Sequence, residues 1–502
     1  MDLQKKYFNI RPAVLCTAGL IFGILSAYLA LFVNIDIGLT LFIVVLILGV
    51  FISVWHLVNK KKTLAVLSII ITLCFVFGEF LFSFSYNNNA QVGGESSFSG
   101  RVVEIYKEEK IDNAYNYSLI VKGEYLGKDN QKAYVNLTST KRIYLGSSIW
   151  FDGYFSLPSN KDITLSMNIS HFATVKDGSL TVNQPQSGAY KIKQKLLLLL
   201  EEQIPNTAHL NYAILTGDAE YVSDDVIQKY RDVGIAHLFA VSGLHIGLMY
   251  SVVLAIVKVL KVKVKPRLAI VLTVLFLYLY FCGFSVSSMR AFFIICIREI
   301  ALIVGEKPDK TTNLSISCFI VLMLNSFDLF SAGFLLSFSV YLGLILLSNP
   351  LEKFLSKFIY SKISKLLSPC IVAQAVSFPI LIYYFGYSSL FSFIFNLIII
   401  PYVAIIYPII VFSVIFVLAF PTATAFTIMP NLAFIILEYC LRFVDTTIFM
   451  VKNVSFSYST VPYYLLLYTF SGKLNFSAKT FKILRIILFA VFLTLFLVIN
   501  FI

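Results

Sequence analysis

Runs of about 20 apolar residues recur from one end of this chain to the other, and that is the length an α-helix needs to cross a bilayer. The first three are Ala13–Val33, Gly38–Val58 and Thr63–Tyr86. Hydrocarbon offers no hydrogen bonds, so a chain that enters it must pair its own peptide groups, and helices do so within one segment. The composition agrees: 58% of residues are hydrophobic and 13% charged, against roughly 45–50% and 25% in a soluble domain. The sequence therefore predicts a mainly α polytopic membrane protein.

Charge supplies the orientation. The net charge is +13, and the excess lies in short loops between apolar runs: Lys60, Lys61 and Lys62; Lys261, Lys263, Lys265 and Arg267; Lys353, Lys357, Lys362 and Lys365. Such loops face the cytoplasm. The N-terminus, with Lys5, Lys6 and Arg11, is then cytoplasmic, and the segment after the third run is extracytoplasmic. Further runs at Ala236–Leu260, Leu268–Cys282, Met289–Gly305, Asn313–Asn325, Leu329–Ser348 and Cys370–Phe385 continue the alternation. Pro401 and Pro408 interrupt Leu390–Phe420, Asn431–Val451 follows, and Ile483–Phe501 is the last run. About 10–12 transmembrane helices are expected.

The segment 87–185 is different. It alternates apolar and polar residues at Val103 and Ile105, at Leu119 and Val121, and at Ala133, Val135 and Leu137, with turn signals at 127–130 and 176–178. Short strands at this spacing predict a small OB-like β-barrel. Its Lys and Arg number ten and its Asp and Glu ten, counted from Tyr86 to Pro185, so the insert is neutral. The organisation read from the sequence is N-terminal transmembrane helices (1–86), an extracytoplasmic β domain (87–185), amphipathic or interfacial helices (186–235), a transmembrane channel domain (236–470) and a C-terminal transmembrane helix (471–502).

The seven cysteines all lie in apolar runs, with no CxxC pair, and the five histidines form neither HxH nor HExxH. Neither a metal site nor a disulfide staple is expected, and no P-loop or GxSxG elbow is present. No cofactor and no enzymatic activity are predicted. The densest polar signal is HLFAVSGLHIGL (237–248), where His237 and His245 are eight residues apart and project on nearly one helix face. Its small residues suit close helix packing or pore lining. A second cluster, CGFSVSSMR (282–290), leads to Arg298 and Glu299. Ionisable groups at membrane depth normally face a bundle interior or water. Glu79, Asp328, Gln374, Asn396, Glu438, Arg442 and Asp445 are further polar residues in apolar runs, and Pro379, Pro401 and Pro408 are expected to break helices.

These blocks resemble one family. HLFAVSGLHIGL is similar to the signature of the ComEC competence proteins, bacterial channels for single-stranded DNA. AILTGD (213–218), GFSVSSMRAF (283–292), NLSISCFIVLMLNSFDLFSAGFLLSFSVYLGLI (313–345), QAVSFPILIYYFG (374–386) and FNLIIIPYVAIIYP (395–408) resemble its other blocks in order and spacing. The resemblance implies uptake of single-stranded DNA through the cytoplasmic membrane during transformation. Its transport core would hold His237, Ser242, Gly243, His245, Gly283, Arg290, Gly333, Ser337, Asn396 and Pro401, with Arg298 as a further candidate for charge along the path. It implies membrane lipids, a cytoplasmic helicase-like ATPase and an extracytoplasmic DNA receptor as partners. The metallo-β-lactamase-like domain that many members carry is not expected here, so either another protein would supply the nuclease or the strand would be degraded before arrival. A transporter or lipid-handling protein on the same scaffold is the alternative.

Overall fold

The computed structural model describes residues 11–88, 93–111, 114–157, 169–176, 178–185, 188–389, 392–419, 431–436, 450–452, 454, 459–469 and 478–501. Glu438, Arg442 and Asp445 lie outside the described residues. In chain order the elements are α1 (Pro12–Tyr28), α2 (Ile35–Val58), α3 (Lys62–Asn88), β1 (Gly94–Ile111), β2 (Ala114–Tyr125), β3 (Lys128–Ser139), β4 (Ser148–Ser156), β5 (His171–Val175) and β6 (Thr181–Asn183). There follow α4 (Gly188–Gln203), α5 (Ala208–Thr216), α6 (Asp224–Val233), α7 (Gly243–Val259), α8 (Val264–Phe281), α9 (Val286–Val304), α10 (Lys310–Leu324), α11 (Ala332–Leu355) and α12 (Ser361–Phe385). The chain continues through β7 (Tyr387–Ser389), α13 (Ser392–Ala419), β8 (Met450–Lys452), α14 (Thr460–Thr469) and α15 (Ala478–Phe501).

Among the described residues six helices are long and apolar enough to cross a membrane: α1 with its π-turn extension to Val33, α2, α3, α11, α12 and the 392–416 stretch of α13. Shorter apolar helices occur at α7, α8, α10 and the 483–497 part of α15. The 19-residue α9 carries Arg290, Arg298 and Glu299 within its length. The chain divides into two compact units, 1–194 with 293–331, and 195–292 with 332–502.

In the first unit, α1 and α3 cross at very short range. A methyl group on Gly23 would overlap the Phe75 carbonyl, and one on Gly78 would overlap that of Leu20. Gly19 and Gly23 form a GxxxG pair, which lets backbones approach where no hydrophobic effect pulls helices together. Thr17 Oγ1 donates to the Ser315 carbonyl at 2.9 Å, and Arg11 Nη2 lies 3.0 Å from Asp309 Oδ1; these join α10 to α1. Asn34 caps α2, accepting from Asp36 N at 2.7 Å.

The insert is a six-stranded sheet in the order β1-β2-β3-β5-β4-β6, and β1 also pairs with β4. The β3–β5 pairing is parallel and the others antiparallel. Alternation holds on β2 and β3, where Leu119, Val121, Ala133, Val135 and Leu137 are buried. On β1 register shifts at 102–104 and 105–107 bring Val102 and Ile105 into the core, in place of the expected pair Val103 and Ile105. A bulge adds one residue to a strand and resets which side chains face inward.

Asp328, read from the sequence as a polar residue at membrane depth, sits in a 3-10 turn, Ser326–Phe330, between α10 and α11. Phe327 and Phe330 flank it and pack on Phe82 at 5.1 and 5.7 Å between ring centres. Asn325 Nδ2 donates to Asp328 Oδ1 at 2.7 Å. Burial raises the Asp328 carboxyl to about 6, an effect partly offset by Lys132 and by the Asn325 hydrogen bond.

In the second unit the prolines do not break their helices as expected. Helix α12 runs through Pro369 and Pro379, and α13 through Pro401 and Pro408. Proline removes one hydrogen bond, that to the carbonyl four residues back. For Pro379 this is Ala375, and its carbonyl accepts instead from Tyr463 Oη at 2.7 Å. A borrowed hydroxyl thus satisfies the carbonyl that proline frees, which is the condition for an apolar setting to tolerate it. Gln374, also on α12, donates to the Ser389 carbonyl at 2.8 Å and accepts from Ser392, fixing the turn into α13.

Two outcomes are expected. Tyr463→Phe strips the Ala375 carbonyl of its donor and should lower stability by about 1–3 kcal/mol, read as a drop in Tm of the solubilised protein, while Tyr468→Phe on the same helix serves as control. Because the folded Asp328 binds a proton that the unfolded chain releases above about pH 4, stability should fall as pH rises from 4 toward 6 and then level. Asp328→Asn should flatten that limb of a Tm-against-pH series.

Candidate functional site

The site begins where α6 stops. Gly234 caps α6 in the left-handed region, and the chain enters a 3-10 turn, Ala236–Leu238. His237 lies in this turn and is exposed. It donates to the Gly234 carbonyl. The expectation that His237 and His245 share a helix face is not met, because the helix starts only at Gly243 and helical spacing does not govern the turn before it.

Ser242 is the N-cap of α7. Its Oγ accepts from Leu244 N at 3.2 Å, and His245 folds back so that Nδ1 accepts from Ser242 N at 3.2 Å. This is a capping box with histidine in the place usually held by Glu or Gln. With Nδ1 accepting, the neutral ring carries its hydrogen on Nε2. That nitrogen is buried and has no hydrogen-bond partner among the described residues, and the ring meets Tyr407 edge to face at 5.2 Å. Tyr407 Oη donates to Tyr278 Oη at 2.6 Å, and Tyr278 Oη to the Leu215 carbonyl at 3.1 Å. Three sequence blocks are thereby joined, since Tyr407 belongs to FNLIIIPYVAIIYP and Leu215 to AILTGD. Gly217 of that block has φ +80° and presses on Val241 so closely that a side chain would collide.

Gly243 opens α7 against Arg290, where a methyl would lie 2.6 Å from a guanidinium nitrogen. Arg290 Nη1 donates to the Ser337 carbonyl of α11, and its guanidinium lies 5.2 Å from the centre of the Tyr341 ring. Ser337 Oγ donates to Ser287 Oγ at 3.2 Å, and Ser285 Oγ to the Val241 carbonyl at 3.2 Å. Ser242, Gly243, His245, Arg290 and Ser337 therefore form one connected group, and the His237 turn leads into it. The positive end of the α7 dipole and a guanidinium meet at Gly243.

The other candidates lie apart from this group. Gly283 is an exposed turn residue between α8 and α9, Gly333 is exposed near the start of α11, and Pro401 is exposed on α13. Asn396 Oδ1 is buried without a hydrogen-bond partner among the described residues. Arg298 is in the first unit, half exposed, with Nε 3.9 Å from Glu299 Oε1; neighbours in sequence can meet through long, flexible side chains. Tyr278, Tyr341, Tyr407 and Gly217 were not singled out from the sequence. Only the AILTGD block pointed to Gly217, and the tyrosines are lost among 29 in the chain. Among the described residues no group of three or more His, Cys, Asp or Glu is placed to hold a metal.

A family model described as "Competence protein" matches residues 214–498. The chain is 29% identical over 226 residues to "ComE operon protein 3" of Bacillus subtilis (strain 168). That match spans 44% of this chain and 28% of the relative's length. No solved structure matches.

Gly243→Ala should displace the Arg290 guanidinium and lower stability by about 1–3 kcal/mol. Gly247→Ala, where a methyl enters open space, should leave Tm unchanged or raise it, since alanine favours the helix.

Proposed function

The chain belongs to the ComEC family of competence proteins, and on that premise we propose that it conducts single-stranded DNA across the bacterial cytoplasmic membrane during transformation. The observation that carries this reading is Arg290. A guanidinium inside an apolar helix bundle is costly, and here it is held by the Ser337 carbonyl and the Tyr341 ring and packs against the start of α7. Carbonyl and ring orient the cation. A phosphate chain crossing a membrane needs such fixed positive charge, together with aromatic faces for its bases. Hydroxyls of Ser287 and Ser337 stand beside it.

His245 serves in this reading as a positioning residue. By closing the capping box it fixes the start of α7, hence where Gly243 meets Arg290. His237 lines the approach. Gly283, Gly333, Asn396 and Pro401 belong to the core by motif, and Arg298 marks a second, separate position on α9. The insert is read as an OB-like domain outside the membrane, supported by the parallel β3–β5 pairing and the return of β4 to β1. Lysines in the α7–α8 and α11–α12 loops support a cytoplasmic N-terminus. Force would come from a helicase-like ATPase in the cytoplasm and delivery from a receptor outside; the chain itself acts as a conduit.

Import of labelled DNA into a strain lacking this protein tests the reading. Restoring the chain should restore import. Arg290→Gln should lower import by at least about tenfold, the value of one charge-assisted contact, with Arg290→Lys intermediate and membrane abundance equal in all three. Equal import in the deletion and restored strains would count against DNA as the substrate and leave a transporter of another solute or lipid.

A further inference from the structure

The outward face of β1, β2, β3 and β5 carries an aromatic row beside a polar one. Tyr106, Tyr134 and Phe172 stand in a row across it, with ring centres 6.0 Å apart for Tyr106–Tyr134 and 5.5 Å for Tyr134–Phe172. Ile120 lies between Glu104 and Tyr134 in the same row of the sheet and is 1% exposed, so the row is floored as well as walled by apolar groups. Next to it runs a row of amides and hydroxyls. Ser118 Oγ donates to Asn136 Oδ1 at 2.7 Å, and Thr138 Oγ1 donates to Asn116 Oδ1 at 2.8 Å.

Those two bonds have a chemical consequence. Each occupies an amide oxygen and leaves the NH2 end of that Asn for another acceptor. Neither NH2 group has a protein partner among the described residues. Fixed amide donors beside an aromatic row are what a polyhydroxylated ring needs. Its C–H face packs on the aromatics and its hydroxyls meet the amides.

Lys122 and Lys132 stand opposite each other one row from Ile120 and Tyr134 on this face, and Glu104 and Asp328 act on Lys132; a nucleic-acid surface would need further unengaged cations to track phosphates. Here Lys107 Nζ is 2.6 Å from Glu109 and Arg142 Nε is 3.0 Å from Glu108. Arg101 lies 5.9 Å from the centre of the Tyr190 ring, and Glu104 shares the aromatic row. The insert is neutral as a whole. We infer that this face binds a neutral glycan strand, by stacking on Tyr106, Tyr134 and Phe172 and by hydrogen bonds from Asn116 and Asn136. In the cell the site rests on the extracytoplasmic placement proposed above; binding by the purified chain does not.

The test is calorimetric titration of the full-length protein in neutral detergent with chitotetraose, a neutral oligosaccharide, and separately with a ten-residue oligothymidylate. Chitotetraose should bind with an affinity unchanged between 50 and 300 mM salt. The double variant Asn116→Ala/Asn136→Ala should weaken it by about tenfold, the worth of two neutral hydrogen bonds, and Tyr106→Ala should weaken it as well. Tyr154→Ala, at an exposed position on β4, should bind as the parent does. Absence of chitotetraose binding, or oligothymidylate binding that rises at low salt and is lost in the Asn116/Asn136 variant, would overturn the inference. Neither result bears on the import phenotype of Arg290→Gln, so the two proposals fail separately.

Discussion

A peptide group that leaves water must find a partner within the chain, and in hydrocarbon an unmet one costs several kcal/mol. The described structure can be followed from this constraint. Long helices pair their own backbones, and the exceptions are met one by one. Tyr463 supplies the bond that Pro379 removes from Ala375. Tyr278 reaches the Leu215 carbonyl beside the Gly217 cap. Ser285 reaches Val241 in the irregular turn before α7. Arg290 reaches the Ser337 carbonyl. At these places a hydroxyl or a guanidinium completes the irregular backbone.

The same logic shows why the candidate group sits where it does. The 236–242 segment is not α-helical, and its polar groups are met at Val241 by Ser285 of the α8–α9 turn and at Ser242 by His245 of α7. An arginine that spans from Gly243 to Ser337 satisfies backbone and carries charge at once. Small residues are needed around it, since a guanidinium pressed to a helix start leaves no room for a side chain at Gly243.

Much of this was legible in the sequence, and the reasons differ by element. Membrane helices announce themselves by length and apolarity, so α1, α2 and α3 are recognised within a few residues of their ends. Strands β2 and β3 announce themselves by alternation. Strand β1 misleads because a bulge shifts the inward residues by one, and bulges have no sequence mark here. The prolines mislead in the opposite direction: whether Pro379 breaks α12 depends on Tyr463, far along the chain. Resemblance named the blocks that form the site but not their contacts. His237 was paired with His245 through a helical spacing that the turn does not obey, while Tyr407 and Tyr278 went unmarked because aromatic residues are common throughout.

The insert has a consequence for the order of biogenesis. Its parallel β3–β5 pairing joins residues as far apart as Lys132 and Ser170, 38 positions along the chain, and β1 must wait for β4. Such non-local pairings form slowly, because loop-closure entropy is spent before any contact is gained. Helices α1 and α3, by contrast, meet through a short glycine crossing made entirely of residues synthesised earlier. On a ribosome the membrane anchor is therefore complete while the sheet is still an open chain. The insert folds tethered at its N-terminal end, with Asn87 and Asn88 at the end of α3 already in place to receive Lys128 and Gln131.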